Sequence, residues 1–262
     1  MFASRAIALP TSARPLPISR SPVLAKQATN YLPESQLKAI ARSITVKVKV
    51  GRTWGSGILV RKQARVYTVL TNQHVLNLGD RASIQTSDGH IYPAHVQRQE
   101  FGGCDLALLQ FQSHSNYAIA SLDRPSGLRV GDRVFAAGFP IESEFNEVAS
   151  PKAGNSPVRV EGKNPVGFSF ATGQISLLPT KVLVGGYQIG ATNDVRKGMS
   201  GGPLLNRQGQ VVGINGMHAY PIWGDPFLYT DRSHPEKSQH DVMVRSSWAI
   251  PIETFSKIFN TF

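Results

Sequence analysis

Short strand-like runs, bounded by Gly, Pro, Asn or Asp, set the rhythm of this chain. Ile44-Thr45-Val46-Lys47-Val48-Lys49-Val50, Gly57-Ile58-Leu59-Val60, Val66-Tyr67-Thr68-Val69-Leu70-Thr71, Arg133-Val134-Phe135-Ala136-Ala137 and Lys181-Val182-Leu183-Val184 are short and apolar or alternating. Such runs, separated by turn residues, predict antiparallel β structure. Two segments break the rhythm with helical spacing. Pro33 to Arg42 gathers Leu37, Ile40 and Ala41 on one face, and Pro251 to Phe259 gathers Ile252, Phe255 and Phe259 on another. A helix is therefore expected on each side of the strands, with both apolar faces serving ordinary core packing.

The chain has 262 residues, 41% of them hydrophobic, and no internal sequence repeat. That is enough to bury one large core in a domain of about 200–250 residues. Residues 1–30 read as a targeting or disordered segment and 31–262 as the folded domain. The first segment carries Arg, Ser, Ala and Pro without a continuous apolar stretch, so it is a poor secretory signal even though Val23-Leu24-Ala25 resembles a cleavage site. A transit-like segment fits it equally well. No run is apolar enough over sufficient length for a membrane-spanning helix. An extracytoplasmic location, periplasmic or secreted, is expected, with an organelle-targeted or cytoplasmic one as the alternative.

Net charge is +11, but Arg5, Arg14, Arg20 and Lys26 all precede the first acid, Glu34. The remaining excess is scattered and forms no basic and aromatic motif, so no specific nucleic-acid partner is expected. General affinity for acidic surfaces and a solvated basic exterior explain it equally. The single Cys104 rules out an internal disulfide and reads as a small buried residue. Two loops look inserted: 142–166, rich in Ser, Asn, Gly, Pro and Lys, and 217–243, which holds Trp223, Tyr229, His218, His234 and His240. Both are long for structureless connections and are expected to shape a cleft. Asp225, Asp231 and these histidines show no recognisable calcium or zinc spacing, and no metal residues are assigned.

The candidate chemistry begins at Lys197-Gly198-Met199-Ser200-Gly201-Gly202-Pro203-Leu204-Leu205. Glycines on both sides of Ser200 free the backbone, so the amides of Gly198 and Ser200 can point together at one oxygen. A serine hydroxyl is a poor nucleophile without a base and a group that orients the base. Asn72-Gln73-His74-Val75 places His74 just past a strand end. Asp105 opens the apolar run Leu106-Ala107-Leu108-Leu109 and can be buried beside an imidazole.

With these residues the chain resembles the trypsin/chymotrypsin-like serine peptidases, and within them the bacterial branch of HtrA-type and glutamyl endopeptidases. Gly55-Ser56-Gly57, Thr71-Asn72-Gln73-His74-Val75, Asp105-Leu106-Ala107-Leu108 and Gly198-Met199-Ser200-Gly201-Gly202-Pro203 arrive in family order, followed by Val211-Val212-Gly213-Ile214-Asn215. The resemblance spans roughly residues 43 to 256. It implies an all-β fold of two antiparallel six-stranded barrels with a C-terminal helix, and leaves no room for a PDZ-type module. It also implies a serine endopeptidase acting on polypeptide substrates through an acyl-enzyme, without metal or organic cofactor. His74 would be the base, Asp105 its orienting acid, Ser200 the nucleophile, and the Gly198 and Ser200 amides the oxyanion hole. Oligomeric state is not implied.

Two departures from the animal enzymes bear on regulation. Met199 stands where those enzymes carry an aspartate that pairs with a new N-terminus, and there is no Ile-Val-Gly-Gly-like start. The oxyanion hole is therefore expected to form without zymogen cleavage. Asp194, six residues before Ser200, has the spacing of the carboxylate at the base of the trypsin pocket, where it would favour Lys or Arg before the scissile bond. A surface position, neutralised by Arg196 and Lys197, is the equal alternative. Asn215 falls where glutamate-specific relatives place a histidine, which argues against an acidic preference, and Gly216 and Met217 are candidates for the pocket wall. The reading from another class is a noncatalytic peptide-binding or chaperone-like protein that keeps the cleft without turnover.

Overall fold

The computed structural model describes residues 31–77, 81–123, 127–141, 167–221 and 224–259. The expectations for segments 1–30 and 142–166 lie outside these residues. Along β1 (Thr45–Val50) valine alternates with lysine, and the strand uses that alternation directly: Val46, Val48 and Val50 are buried while Lys47 and Lys49 are partly exposed. β1 pairs antiparallel with β2 (Thr53–Gln63) and β4 (Ala82–Gln85). With β3 (Val66–Thr71), β5 (Ile91–Gln97) and β6 (Ala107–Gln112) they close a barrel in the order β1-β2-β3-β6-β5-β4.

The second half repeats the plan. β7 (Arg133–Gly138), β8 (Ser169–Leu177), β9 (Ile189–Ala191), β10 (Pro203–Leu205), β11 (Val211–Met217) and β12 (Ser247–Pro251) close in the order β7-β8-β9-β12-β11-β10. The two barrels thus share one strand order although the sequence shows no repeat. Closure requires inward-facing apolar residues and consistent register, and many sequences meet that requirement.

Each barrel has its own interior, one around Val48, Leu59, Tyr67, Val69 and Phe111, the other around Val134, Ile175, Met199, Leu204 and Val212. A third cluster fills the seam between them, joining Ile58, Leu70 and Leu108 to Phe135, Ala137 and Ile214. This seam explains why Gly57-Ile58-Leu59-Val60 reads as a continuous apolar run: Leu59 faces the barrel interior while Ile58 and Val60 face the seam. α1 (Glu34–Ile44) lays Leu37, Ala41 and Ile44 into the same cluster, and α4 (Ile252–Phe259) adds Ile252 and Phe255. Phe259 stacks on Phe255 at 4.6 Å between ring centroids. Among the described residues no helix is long and apolar enough to cross a membrane.

Two sequence expectations are corrected. Lys181–Val184 is not a strand: Leu183 makes one isolated bridge to Tyr229, and a helical turn, Val184–Gly186, follows at once. Gly185 and Gly186, with φ of 83° and 88°, turn the chain where an extended run would continue. Nor is 217–243 a loop throughout, as the inserted-loop reading expects. Met217 ends β11, and a further helix, α3 (Lys237–Val244), buries Met243, whose carbonyl accepts a 3.1 Å bond from Trp248 Nε1.

Candidate active site

His74 sits on a single helical turn, α2 (Gln73–Leu76), reached directly from the end of β3. The turn is pinned from below by Val75, which is buried, and by Asn72, whose Nδ2 donates 2.8 Å to Asp105 O. Gly55 makes that packing possible, since a Cβ there would lie 2.6 Å from a Val75 methyl. The imidazole itself stays 45% exposed and faces the cleft.

Asp105 lies just before β6, with its amide donating to Gly185 O at 2.8 Å. Its carboxylate grips His74 twice: Oδ1 accepts the His74 backbone N–H at 2.8 Å and Oδ2 lies 2.6 Å from Nδ1. Oδ2 also accepts the Tyr187 hydroxyl at 2.5 Å. Cys104, next in the chain, is half-buried rather than buried; burial and the neighbouring Asp105 charge push its thiol pKa up.

The turn carrying Ser200 is built on close backbone approach. Ser200 O accepts from Ser56 N at 2.8 Å, and Gly201 N donates to Asn215 O at 2.7 Å. Gly201, at φ 86°, has Ser56 O only 2.1 Å from where a Cβ would stand, so no other residue fits. Ser56 Oγ donates to Gly198 O at 2.8 Å and accepts from Phe139 N at 2.9 Å, tying the turn to both barrels. Lys197 O accepts from Ile141 N at 2.8 Å. Across a planar trans peptide the Gly198 N–H must then point the opposite way. Among the described residues neither the Gly198 nor the Ser200 amide has a hydrogen-bond partner, so both donors are available. The Ser200 hydroxyl donates to Gly216 O at 3.2 Å rather than to His74.

Ser200 and His74 line one cavity of about 430 Å³, together with Gly216, Met217, Pro226 and Phe227. The candidate wall residues separate here. Gly216 and Met217 border this cavity. Asn215 does not: its side chain is buried and its Nδ2 donates to Pro203 O at 2.9 Å, holding β10 to β11. Asp194 borders a different depression of about 900 Å³, with Arg196, Lys197, Tyr220 and Arg245. Its side chain is 76% exposed and lies 3.5 Å from Arg196 Nε. Asp194 is thus a solvated, paired carboxylate, and such a group makes little demand on a substrate cation.

Met199 is fully buried among Val134, Val195 and Leu204 in the second barrel, where its uncharged side chain packs as part of that interior. In the long loop, Asp225 borders the Ser200 cavity and lies 2.9 Å from His240 Nε2, while Asp231 pairs with Lys181 at 2.7 Å. Hydrogen bonds from Lys181 and Ser233 hold the Asp231 carboxyl well below the usual range. Among the described residues no three His, Cys, Asp or Glu side chains converge as metal ligands. Sequence reasoning missed Tyr187, Pro226 and Phe227 at the site, and no motif or spacing marks them.

A family model described as Trypsin-like peptidase domain matches residues 55–214. Serine protease Do-like HtrA of Bacillus subtilis (strain 168) is 28% identical over 163 residues, covering 62% of this chain and 33% of that protein. Periplasmic pH-dependent serine endoprotease DegQ of Escherichia coli (strain K12) is 31% identical over 164 residues, covering 62% and 30%. Serine protease HTRA1 of Xenopus laevis is 28% identical over 169 residues, covering 64% and 32%. The matched region spans about a third of the length of these curated relatives.

Proposed function

Because the chain belongs to the trypsin-like peptidase family, of the HtrA type, we propose that it is a serine endopeptidase that cleaves polypeptides through Ser200, His74 and Asp105. The observation that carries the reading is the double grip of one carboxylate on His74, through the backbone N–H and Nδ1, in the cavity that also holds Ser200. With Nδ1 held as donor, Nε2 is left as the acceptor facing the cleft. The Ser200 hydroxyl leaves Gly216 O for Nε2 as it attacks the scissile carbonyl. His74 takes its proton, and the Gly198 and Ser200 amides receive the negative oxygen of the tetrahedral intermediate. His74 then protonates the leaving amine, the acyl-enzyme forms on Ser200 Oγ, and water hydrolyses it by the same steps in reverse. None of these steps calls for a metal or cofactor.

On substrate choice, the exposed and paired Asp194 weighs against Lys or Arg recognition. Arg196, Lys197 and Arg245 border the same depression and outnumber it, so cationic side chains are repelled there. The cavity beside Ser200 has Met217, Pro221, Pro226 and Phe227 on its border together with Lys197, His218 and Asp225, and the four apolar residues offer surface that suits an apolar side chain. The periplasmic name of the DegQ relative favours an extracytoplasmic setting.

The test is a diverse peptide mixture incubated with the protein and with Ser200→Ala, read by mass spectrometry. Cleavage by the unaltered protein alone, with Lys and Arg under-represented before the cut, is the expected result. Enrichment of Lys or Arg would return Asp194 to the pocket. No cleavage by either protein would replace the peptidase reading with a peptide-binding one.

A further inference from the structure

Tyr187 reaches the site from the seam between the barrels. It lies between the Val184–Gly186 turn and β9, in the second barrel, 82 positions from the aspartate it contacts in the first. Its hydroxyl donates to Asp105 Oδ2 at 2.5 Å, on the same oxygen that meets His74 Nδ1 at 2.6 Å. The ring is 4% exposed and belongs to the seam cluster that joins the barrels. Two glycines make room for it. A Cβ on Gly216 would lie 2.2 Å from the Tyr187 oxygen, and one on Gly185 would lie 2.9 Å from its ring.

Gly216 is also the residue whose carbonyl accepts the Ser200 hydroxyl. Tyr187 thus packs against the strand that holds the serine while bonding to the group that holds the histidine. Burial and the nearby Asp105 charge push the Tyr187 hydroxyl pKa far above its ordinary value, so it remains a neutral donor wherever a peptidase works.

Resting on the acyl-transfer reading above, we propose that Tyr187 is a positioning residue: its hydroxyl fixes the Asp105 carboxylate in the orientation that presents Oδ1 to the His74 amide and Oδ2 to Nδ1. Without that third bond the carboxylate is held only by its two contacts to His74, so its orientation about the Cβ–Cγ axis, and with it the aim of the imidazole as it takes the serine proton, is less tightly fixed. Tyr187 touches neither substrate nor the reacting atoms. Its loss should therefore appear in turnover and leave substrate binding alone.

The experiment compares Tyr187→Phe with the unaltered protein on a peptide identified in the mixture above. It records kcat, KM, the melting temperature and the rate at which a fluorophosphonate probe labels Ser200. The expected result is a kcat lower by roughly 10- to 100-fold, the loss of one hydrogen bond to a charged group. KM should stay within about twofold, and labelling should slow in parallel. Equal kcat and labelling in a folded Tyr187→Phe would overturn the proposal, as would a loss matched by the fraction unfolded. A second variant, 3-fluorotyrosine at position 187, keeps the hydroxyl and ring shape while strengthening the donor. A change in kcat at unchanged melting temperature supports the role, and no change removes it. If the unaltered protein neither cleaves nor labels, the inference falls together with the peptidase reading; the failure is distinct because it precedes any change at Tyr187.

Discussion

At the scale of single residues, the candidate site depends on where side chains are missing. Gly198 has φ 90°, and a Cβ would stand 2.5 Å from Phe139 O and 2.9 Å from Ile141 N. The carbonyl of the preceding Lys197 is already held by Ile141 N, so the peptide cannot accommodate a methyl without rotating its N–H away from the cleft. Gly198→Ala is therefore expected to lower kcat by about 10²–10³-fold, the usual cost of one oxyanion donor, with little change in KM. Steady-state kinetics on a cleaved peptide check this; a KM effect alone would mean that the amide serves binding and not the transition state. Ser56 works in the same place by the opposite means, since its hydroxyl satisfies Gly198 O and Phe139 N at once.

At the scale of elements, α2 shows how a four-residue helix is held still. Too short to be stable by itself, it is fixed by Val75 packing over Gly55 and by the Asp105 bond to the His74 amide. Gly55→Ala places a methyl 2.6–2.7 Å from both Val75 methyls and 3.2 Å from Ser200 O, so the turn carrying His74 must lift. Activity should fall while the fold survives. Val75→Ala in the same chain opens the space again and should restore part of it, a coupling that a double-mutant cycle measures directly. Additive losses would show that the two positions act independently. The Lys181–Val184 segment is instructive for a different reason: its residues suit a strand, but the two glycines after it turn the chain toward Tyr187.

At the scale of the whole molecule, the seam matters more than either barrel. One continuous cluster takes Ile58, Leu70, Leu106 and Leu108 from the first barrel, Phe135, Ala137, Leu205 and Ile214 from the second, and the faces of α1 and α4. Opening the seam would expose large apolar side chains of both halves, each worth about 1.5–3 kcal/mol when fully buried. The two barrels are therefore expected to melt as one unit, with a single endotherm in differential scanning calorimetry. Two resolved transitions would mean that the barrels are separately stable and that the site at their junction can come apart before either unfolds.

The strand pattern and the two helical faces were legible in the sequence because they rest on local periodicity: alternation makes β1, and Leu37 with Ala41 makes the buried face of α1; the double barrel was legible only through the resemblance to the trypsin-like peptidases. The residue types around His74, Asp105 and Ser200 were legible too, since short motifs carry them. What the chain order left open was everything decided across distance. Asp194 has the spacing of a pocket base, yet its carboxylate is solvated and beside Arg196. Asn215 sits next to Gly216 and Met217, which border the Ser200 cavity, yet its own side chain is turned inward to Pro203. Tyr187 carries no motif and meets Asp105 only because the seam brings the two barrels together. Exposure, facing and long-range contact are properties of the closed barrels, and only tertiary structure determined them.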